Sequence, residues 1–429
     1  MNTSTNGTNT KNALLERFLR YVKIDTKSDP ESTTFPSSEK QFNLANVLYQ
    51  ELKDMGITDV TYDKEHCYVY ATIPSNMDAE QAKNVPVIGF IAHMDTSPEI
   101  SGKDVKPRVI ENYDGKDIVL NEEQQIILST EDDAALASYE GKTLIVTDGT
   151  TLLGADDKAG VSEIMTAAAE ILAHPERPHG VIKIAFTPDE EVGAGVDHFD
   201  VEGFGAQFAY TVDGGHEGEL EYENFNAASA KVFVNGKSIH PGSAKNRMVN
   251  ASLLAGDFMQ QLPAAQRPEH TEGYEGFYHL TSMKGSIEAA QLNYIIRDHD
   301  KELFEQKKAY FKQVCDFMNQ KYGEGFFRVE IKDSYYNMKE QIMPVFHLIE
   351  NAQQAMQDCG VEPQTTPIRG GTDGCRLSFM GLPCPNLFTG GHNFHGRYEY
   401  ACLDSMLKSV EVIQRIVAIY AENACNPLR

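Results

Sequence analysis

Apolar positions along this chain follow two alternating rhythms, and their order predicts an α/β protein interrupted by a second domain. Near the start, Leu14, Leu15, Phe18, Leu19 and Val22 recur at the three-and-four spacing of an amphipathic helix. A second helix follows the capping-box signal Ser38…Gln41, turns Phe42, Ala45, Leu48 and Leu52 to one face, and stops at Gly56. Continuous apolar runs then read as buried strands: CYVYATI (67–73), PVIGFIA (86–92), LIVT (144–147), VIKIAFT (181–187) and FAYTV (208–212). A helical stretch from Lys158 to Leu172 lies between the third and the fourth. Strands of this kind alternating with helices predict a central mixed, mostly parallel sheet flanked by helices.

From about residue 222 the pattern changes. A strand (230–234), a helix (248–261), two strands (277–283 and 291–297), a long helix (301–320) and a strand (326–331) follow in the ferredoxin-like order β-α-β-β-α-β. The expected organisation is an outer domain made of residues 1–221 and 336–429, with an α+β domain over 222–335 inserted into it. After the insertion come a helix (345–358), a Gly-rich segment and a C-terminal helix (404–421).

Composition narrows the class. A chain of 429 residues, at roughly 150 per domain, fits two or three globular units. Its 38 Lys and Arg against 63 Asp and Glu give a net charge of −25, a surface that repels nucleic-acid phosphates and anionic headgroups. Neither nucleic acid nor membrane is an expected partner. Residues 1–11 lack the cationic start and apolar stretch of a signal peptide and are expected to be disordered; no apolar run approaches the roughly 18 residues of a span. Seven scattered cysteines without a CxxC pair predict free, mostly buried thiols and a cytoplasmic location.

The candidate chemistry sits where strands end. In IGFIAHMDTSP, His93 and Asp95 are two residues apart, so both side chains point the same way, either as a hydrogen-bonded pair or toward a ligand. LLGADDKAG places Asp156 and Asp157 just before a helix, where one acid caps it or Asp156 faces a metal and bridges two ions. AFTPDEEVGAG runs a buried strand into Asp189, Glu190 and Glu191, whose diverging carboxylates suit a cation and a water or form a solvated acidic turn. Asp213 ends another strand, and His392 and His395 share a Gly-rich loop in FTGGHNFHGRYE. A donor set of Asp, Glu and His without thiolates suits one or two zinc-like ions in an open catalytic site. Arg369, in PIRGGTDG, has the fork geometry for a carboxylate, whether of a ligand or of a structural ion pair.

Together these strings resemble the peptidase T family of tripeptide aminopeptidases, within the di-zinc aminoacylase/carboxypeptidase superfamily of metallopeptidases. The likeness runs from LLERFLRYVKIDT to VIQRI and includes GFIAHMDTSP, LLGADDKAG, AFTPDEEVG, YTVDGG, ENFNAAS, DSYYNM and PIRGGTDG. The resemblance implies a metallo-aminopeptidase with two Zn2+ ions per subunit, one on His93 and Asp213, the other on Glu191 and His395, with Asp156 bridging. It implies Asp95 as the carboxylate orienting His93, Glu190 as general base, and the inserted domain as a lid or dimerisation domain. By the same resemblance His240, in SIHPGSAKN, polarises the scissile carbonyl, in some relatives from a partner subunit; a homodimer stays open. Arg369 and Asn386 are expected to fix the far carboxylate of a short peptide with a free N-terminus. His392 stands where an aromatic residue is common, and it competes with His395 as ligand. The alternatives are a sister dipeptidase, carboxypeptidase or deacylase, or a peptide-binding protein without catalysis.

Overall fold

The computed structural model describes residues 3–425, which divide into two compact units. The first comprises Met1–Tyr222, Gln341–Thr366 and Thr372–Arg429; the second comprises Glu223–Glu340 and Pro367–Gly371.

In the first unit a seven-stranded sheet runs in the order Asp59–Asp63, Tyr68–Ile73, Ile182–Thr187, Ile88–His93, Phe208–Gly214, Asn386–Phe388, Leu220–Glu221. The four strands from Ile182–Thr187 to Asn386–Phe388 are mutually parallel, and antiparallel strands close both edges. Every residue of Ile88–His93 is buried, as a continuous apolar run requires when helices cover both faces of a sheet. Helix Ala155–Ala173 packs on Ile88–His93 and Phe208–Gly214 and is itself backed by helices Thr3–Tyr21 and Leu403–Cys425.

Three local expectations are corrected. LIVT does not join the main sheet; Leu144–Val146 pairs with Arg108–Ile110 and Tyr400–Cys402 in a small separate sheet, because its side chains complete a satellite core with Tyr113, Leu136 and Tyr400. The start of the chain is not disordered from Thr3 onward: helix Thr3–Tyr21 is tied down where Thr10 donates to Glu170 and Lys11 pairs with Asp404; residues 1–2 lie outside the described residues. The capping box at Ser38 and Gln41 is not formed. Helix Gln41–Asp54 begins without a side-chain cap, and the Gln41 amide is used at the site described below.

The second unit is a four-stranded antiparallel sheet in the order Phe277–Gly285, Ala289–Asp298, Asn226–Asn235, Phe327–Tyr335. Helices Ala251–Met259 and Lys301–Tyr322 connect the strands, and their apolar faces share one core with Val232, Leu292 and Ile296 through Phe258, Phe304, Phe311 and Met318. Each helix is started by a side chain that satisfies free N–H groups: Asn250 accepts from Ser252 and Leu253, and Asp300 from Leu303. The strand order and connections are those of the ferredoxin-like fold.

Among the described residues no helix is long and apolar enough to cross a membrane. Cys67, Cys315, Cys375, Cys384 and Cys402 are buried free thiols, and Cys359 is a half-buried one.

Candidate metal centre

Parallel pairing brings the C-terminal ends of three adjacent strands together, the usual position of a site in an open α/β sheet. His93 is in register with Thr187, and beyond Thr187 the chain turns into Asp189, Glu190 and Glu191. On the other side, Phe208–Gly214 delivers Asp213.

Asp156 stands between two histidines. Its Oδ1 lies 2.8 Å from His93 Nε2 and its Oδ2 3.1 Å from His395 Nε2. His93 Nε2 is also 3.4 Å from Asp213 Oδ1, and His395 Nε2 is 2.9 Å from Glu191 Oε2. The five residues His93, Asp156, Asp213, Glu191 and His395 thus converge, although 239 positions separate Asp156 from His395. Asp156 and Asp157 have non-helical dihedrals at the head of helix Ala155–Ala173, so their carboxylates part company. Asp157 accepts from Gly160 N–H at 3.2 Å and from His93 N–H at 3.2 Å. It is the acid that caps.

Around these groups the main chain is held by buried side chains. Asp95, fully buried, accepts Glu190 N–H at 3.0 Å and Glu191 N–H at 3.2 Å, and its Oδ1 is 3.3 Å from His93 Nδ1. Asp189 adopts the left-handed φ of 53°, and its carboxylate accepts from the main chain and hydroxyl of Ser37 and, at 2.6 Å, from Gln41 Nε2. This turns Glu190 and Glu191 into the crevice while Asp189 faces away. Asn386 is 1% exposed; its Oδ1 accepts Asp213 N–H at 3.1 Å and its Nδ2 donates to Glu221 at 2.8 Å.

Charge within the cluster is strongly perturbed. Burial pushes Glu190 well above the usual carboxylate range, helped by Asp213, Asp373 and Glu191 and opposed by His93. Burial likewise carries Glu191 up to about 8 and Asp213 up to about 6. His395 is raised to about 11 by its bonds to Asp156 and Glu191. His93 is raised in spite of its burial, by Asp213, Asp156 and Asp95. Asp156 is held low, because His395 and His93 outweigh burial.

The donor set fits metal ions. His93, Asp156 and Glu191 offer ligand atoms within 4.8 Å of one another, as do His93, Asp157 and Asp213, and Glu191 Oε1 is buried without a hydrogen-bond partner. Asp157 has both oxygens engaged by main-chain N–H groups, which leaves Asp156 as the acid shared between the histidines.

Three other sequence candidates have partners of their own. The His392 ring stacks on Tyr400 at 4.6 Å and its Nε2 meets Tyr139 Oη at 2.8 Å. Burial and then His216 hold it down to about 3, and no group of the cluster bonds to it among the described residues. His240 is exposed on the second unit, where its Nδ1 accepts Gly242 N–H at 3.2 Å. Arg369 also belongs to the second unit; its Nη atoms donate to the carbonyls of Gly273, Glu275 and Thr271 and to the Thr271 hydroxyl, and the guanidinium sits over Phe225. Two of the four residues that brace the site, Asp373 and Glu399, had no sequence signal, while Gln41 and Asp157 were read only as helix-capping residues. Gln41, Asp157, Asp373 and Glu399 act through buried hydrogen bonds to segments distant in sequence, which spacing does not reveal. Asp373 accepts from the Thr187 hydroxyl at 2.8 Å, beside the end of the His93 strand.

The sequence profile of peptidase family M20/M25/M40 matches residues 139–419. A protein named Peptidase T from Alkaliphilus oremlandii (strain OhILAs) is 60% identical over 409 residues, covering 95% of this chain and 99% of that protein. Among solved structures, aminopeptidase PepT from Bacillus cereus ATCC 10987 superposes with a TM-score of 0.74 at 23% identity, over 96% of this chain and 99% of its own. A dinuclear metal-binding peptidase of the M20 family from Bacillus subtilis gives a TM-score of 0.65 at 14% identity, over 97% and 99%. The last two likenesses concern the fold.

Proposed function

The chain belongs to peptidase family M20/M25/M40, and on that footing we propose that it is a metal-dependent aminopeptidase that releases the N-terminal residue from tripeptides. The observation that carries the reading is the placement of Asp156, one oxygen on His93 and the other on His395. We assign one zinc to His93 and Asp213, a second to Glu191 and His395, and Asp156 to both. Bound ions of this kind acidify a water and neutralise charge on the scissile carbonyl oxygen.

The protein's own part of the chemistry falls to Glu190. The residue is half-buried, and burial and its acidic neighbours hold its carboxyl above the usual range, which suits a base that takes the water's proton and returns it to the leaving amine. Asp95 holds Glu190 and Glu191 by their N–H groups while orienting His93, so one buried carboxylate sets a ligand from each zinc together with the base. His240 is assigned to polarising the scissile carbonyl, in the same chain or from a second copy. Arg369 and Asn386 are assigned to the far carboxylate of the short peptide; Arg369 is itself held by Gly273 and Thr271, and Asn386 by Asp213 and Glu221. The free thiols suit a reducing cytoplasm.

The test is a matched set of a tripeptide, its N-acetyl form, the corresponding dipeptide and a tetrapeptide, incubated with zinc-loaded protein and read by mass spectrometry. Release of the first residue from the free tripeptide alone is the expected result. Cleavage of the acetylated peptide or the dipeptide in its place moves the protein to a sister specificity.

A further inference from the structure

We infer that Glu399 is the positioning residue that sets the bridging carboxylate of Asp156, so that without it one of the two metal positions loses its ion. The inference rests on the two-zinc reading above. Glu399 is 1% exposed, and its carboxylate gathers three main-chain N–H groups from the turn that carries Asp156. Oε2 accepts from Leu153 at 2.6 Å and from Gly154 at 2.8 Å, and Oε1 accepts from Asp156 itself at 3.1 Å.

The local backbone explains why such a group is needed. Gly154 has φ 84° and Asp156 φ −84°, ψ 109°, so this stretch is outside the helical ladder, and its buried N–H groups need acceptors from elsewhere. All three partners are donors. A carboxylate only accepts and matches them; an amide of the same shape sets an NH2 against an N–H.

Position in the chain gives the clamp its consequence. Glu399 lies four residues beyond His395, in the loop that brings His395 to Asp156 Oδ2. One loop therefore supplies a ligand beside the Asp156 carboxylate and grips the Asp156 main chain. The spacing between the two is fixed by a short covalent path in place of packing alone.

The experiment compares wild type with Glu399→Gln as full-length protein. Zinc per chain is measured by mass spectrometry after loading and dialysis, and each zinc affinity by competition with a chelating dye; circular dichroism and melting of the metal-free forms are followed alongside. Wild type is expected to hold two ions. The variant is expected to keep one and to bind the other about 10- to 100-fold more weakly. A loosened fold, by contrast, lowers the melting temperature without splitting the two affinities, and that result overturns the inference, as does a variant with two ions at unchanged affinity. If Glu399→Gln does not fold, Glu399→Asp carries the test: a shortened acid is expected to weaken one ion, and unchanged affinities overturn the proposal. A wild type unable to hold two ions overturns the two-zinc reading itself.

Discussion

Asp95 accepts the main-chain N–H of Glu190 at 3.0 Å with one carboxylate oxygen, while the other takes Glu191 N–H at 3.2 Å. A residue expected only to orient His93 therefore also fixes the turn that presents Glu190, the proposed general base, and Glu191, a proposed ligand. Replacing it with asparagine keeps one acceptor and opposes the other N–H with an NH2 group. Asp95→Asn is expected to lower kcat about 10- to 100-fold, with the fold retained by circular dichroism. Unchanged kcat would show that the turn holds without Asp95.

Glu190 and Glu191 are adjacent, yet they face different tasks. Glu190→Gln is expected to lower kcat by about 10²- to 10⁴-fold with zinc content unchanged, since Glu190 is a base and no ligand in this account. Glu191→Gln removes a proposed ligand beside His395 and is expected to lower zinc occupancy. Parallel assays of turnover and metal content separate the two; loss of zinc in Glu190→Gln contradicts the division.

The strand ends were legible in the sequence, and what braces them was not. Apolar runs flowing into His93, Glu190 and Asp213 announce their own direction, because a buried strand leaves few places for an acid except its end. The pairing of LIVT was not legible, since three apolar residues carry no information about which sheet receives them; the partners Arg108–Ile110 and Tyr400–Cys402 lie far off in the chain. Gln41 matched a helix-capping pattern, but its amide reaches Asp189, 148 residues away. The same holds for Glu399. Its chemistry lies in main-chain N–H groups, which every sequence has and none displays.

Metal binding should release protons. Without a cation, His395 stands at about 11, Glu191 at about 8 and Asp213 at about 6, and each must lose its proton to act as a ligand. Zinc affinity is therefore expected to rise with pH through the range from 6 to 8. Calorimetric titrations in buffers of different ionisation enthalpy should give net proton release near neutral pH. An affinity independent of pH across that range contradicts the proposed ligand set.

Glu163 sits in helix Ala155–Ala173 away from this chemistry and is fully buried. Burial pushes its carboxyl well above the usual range, and only Ser409 acts the other way. A folded-state pKa raised above the unfolded value of about 4.3 means that its stabilising contribution is complete below that pH. The contribution is lost as pH rises through the folded pKa, at up to about 1.4 kcal/mol for each pH unit. Glu163→Gln cannot ionise, so its melting temperature is expected to exceed that of wild type at pH 7.5 by more than at pH 4. Equal differences at both values contradict this.

The most direct test of the central claim, that Asp156 joins two metal positions, is anomalous diffraction at the zinc edge from crystals of the zinc-loaded protein. The account predicts two peaks: one against His93 and Asp213, one against Glu191 and His395, with an oxygen of Asp156 on each. A single peak, or a second ion held by His392 or Asp157 in place of these residues, would contradict it.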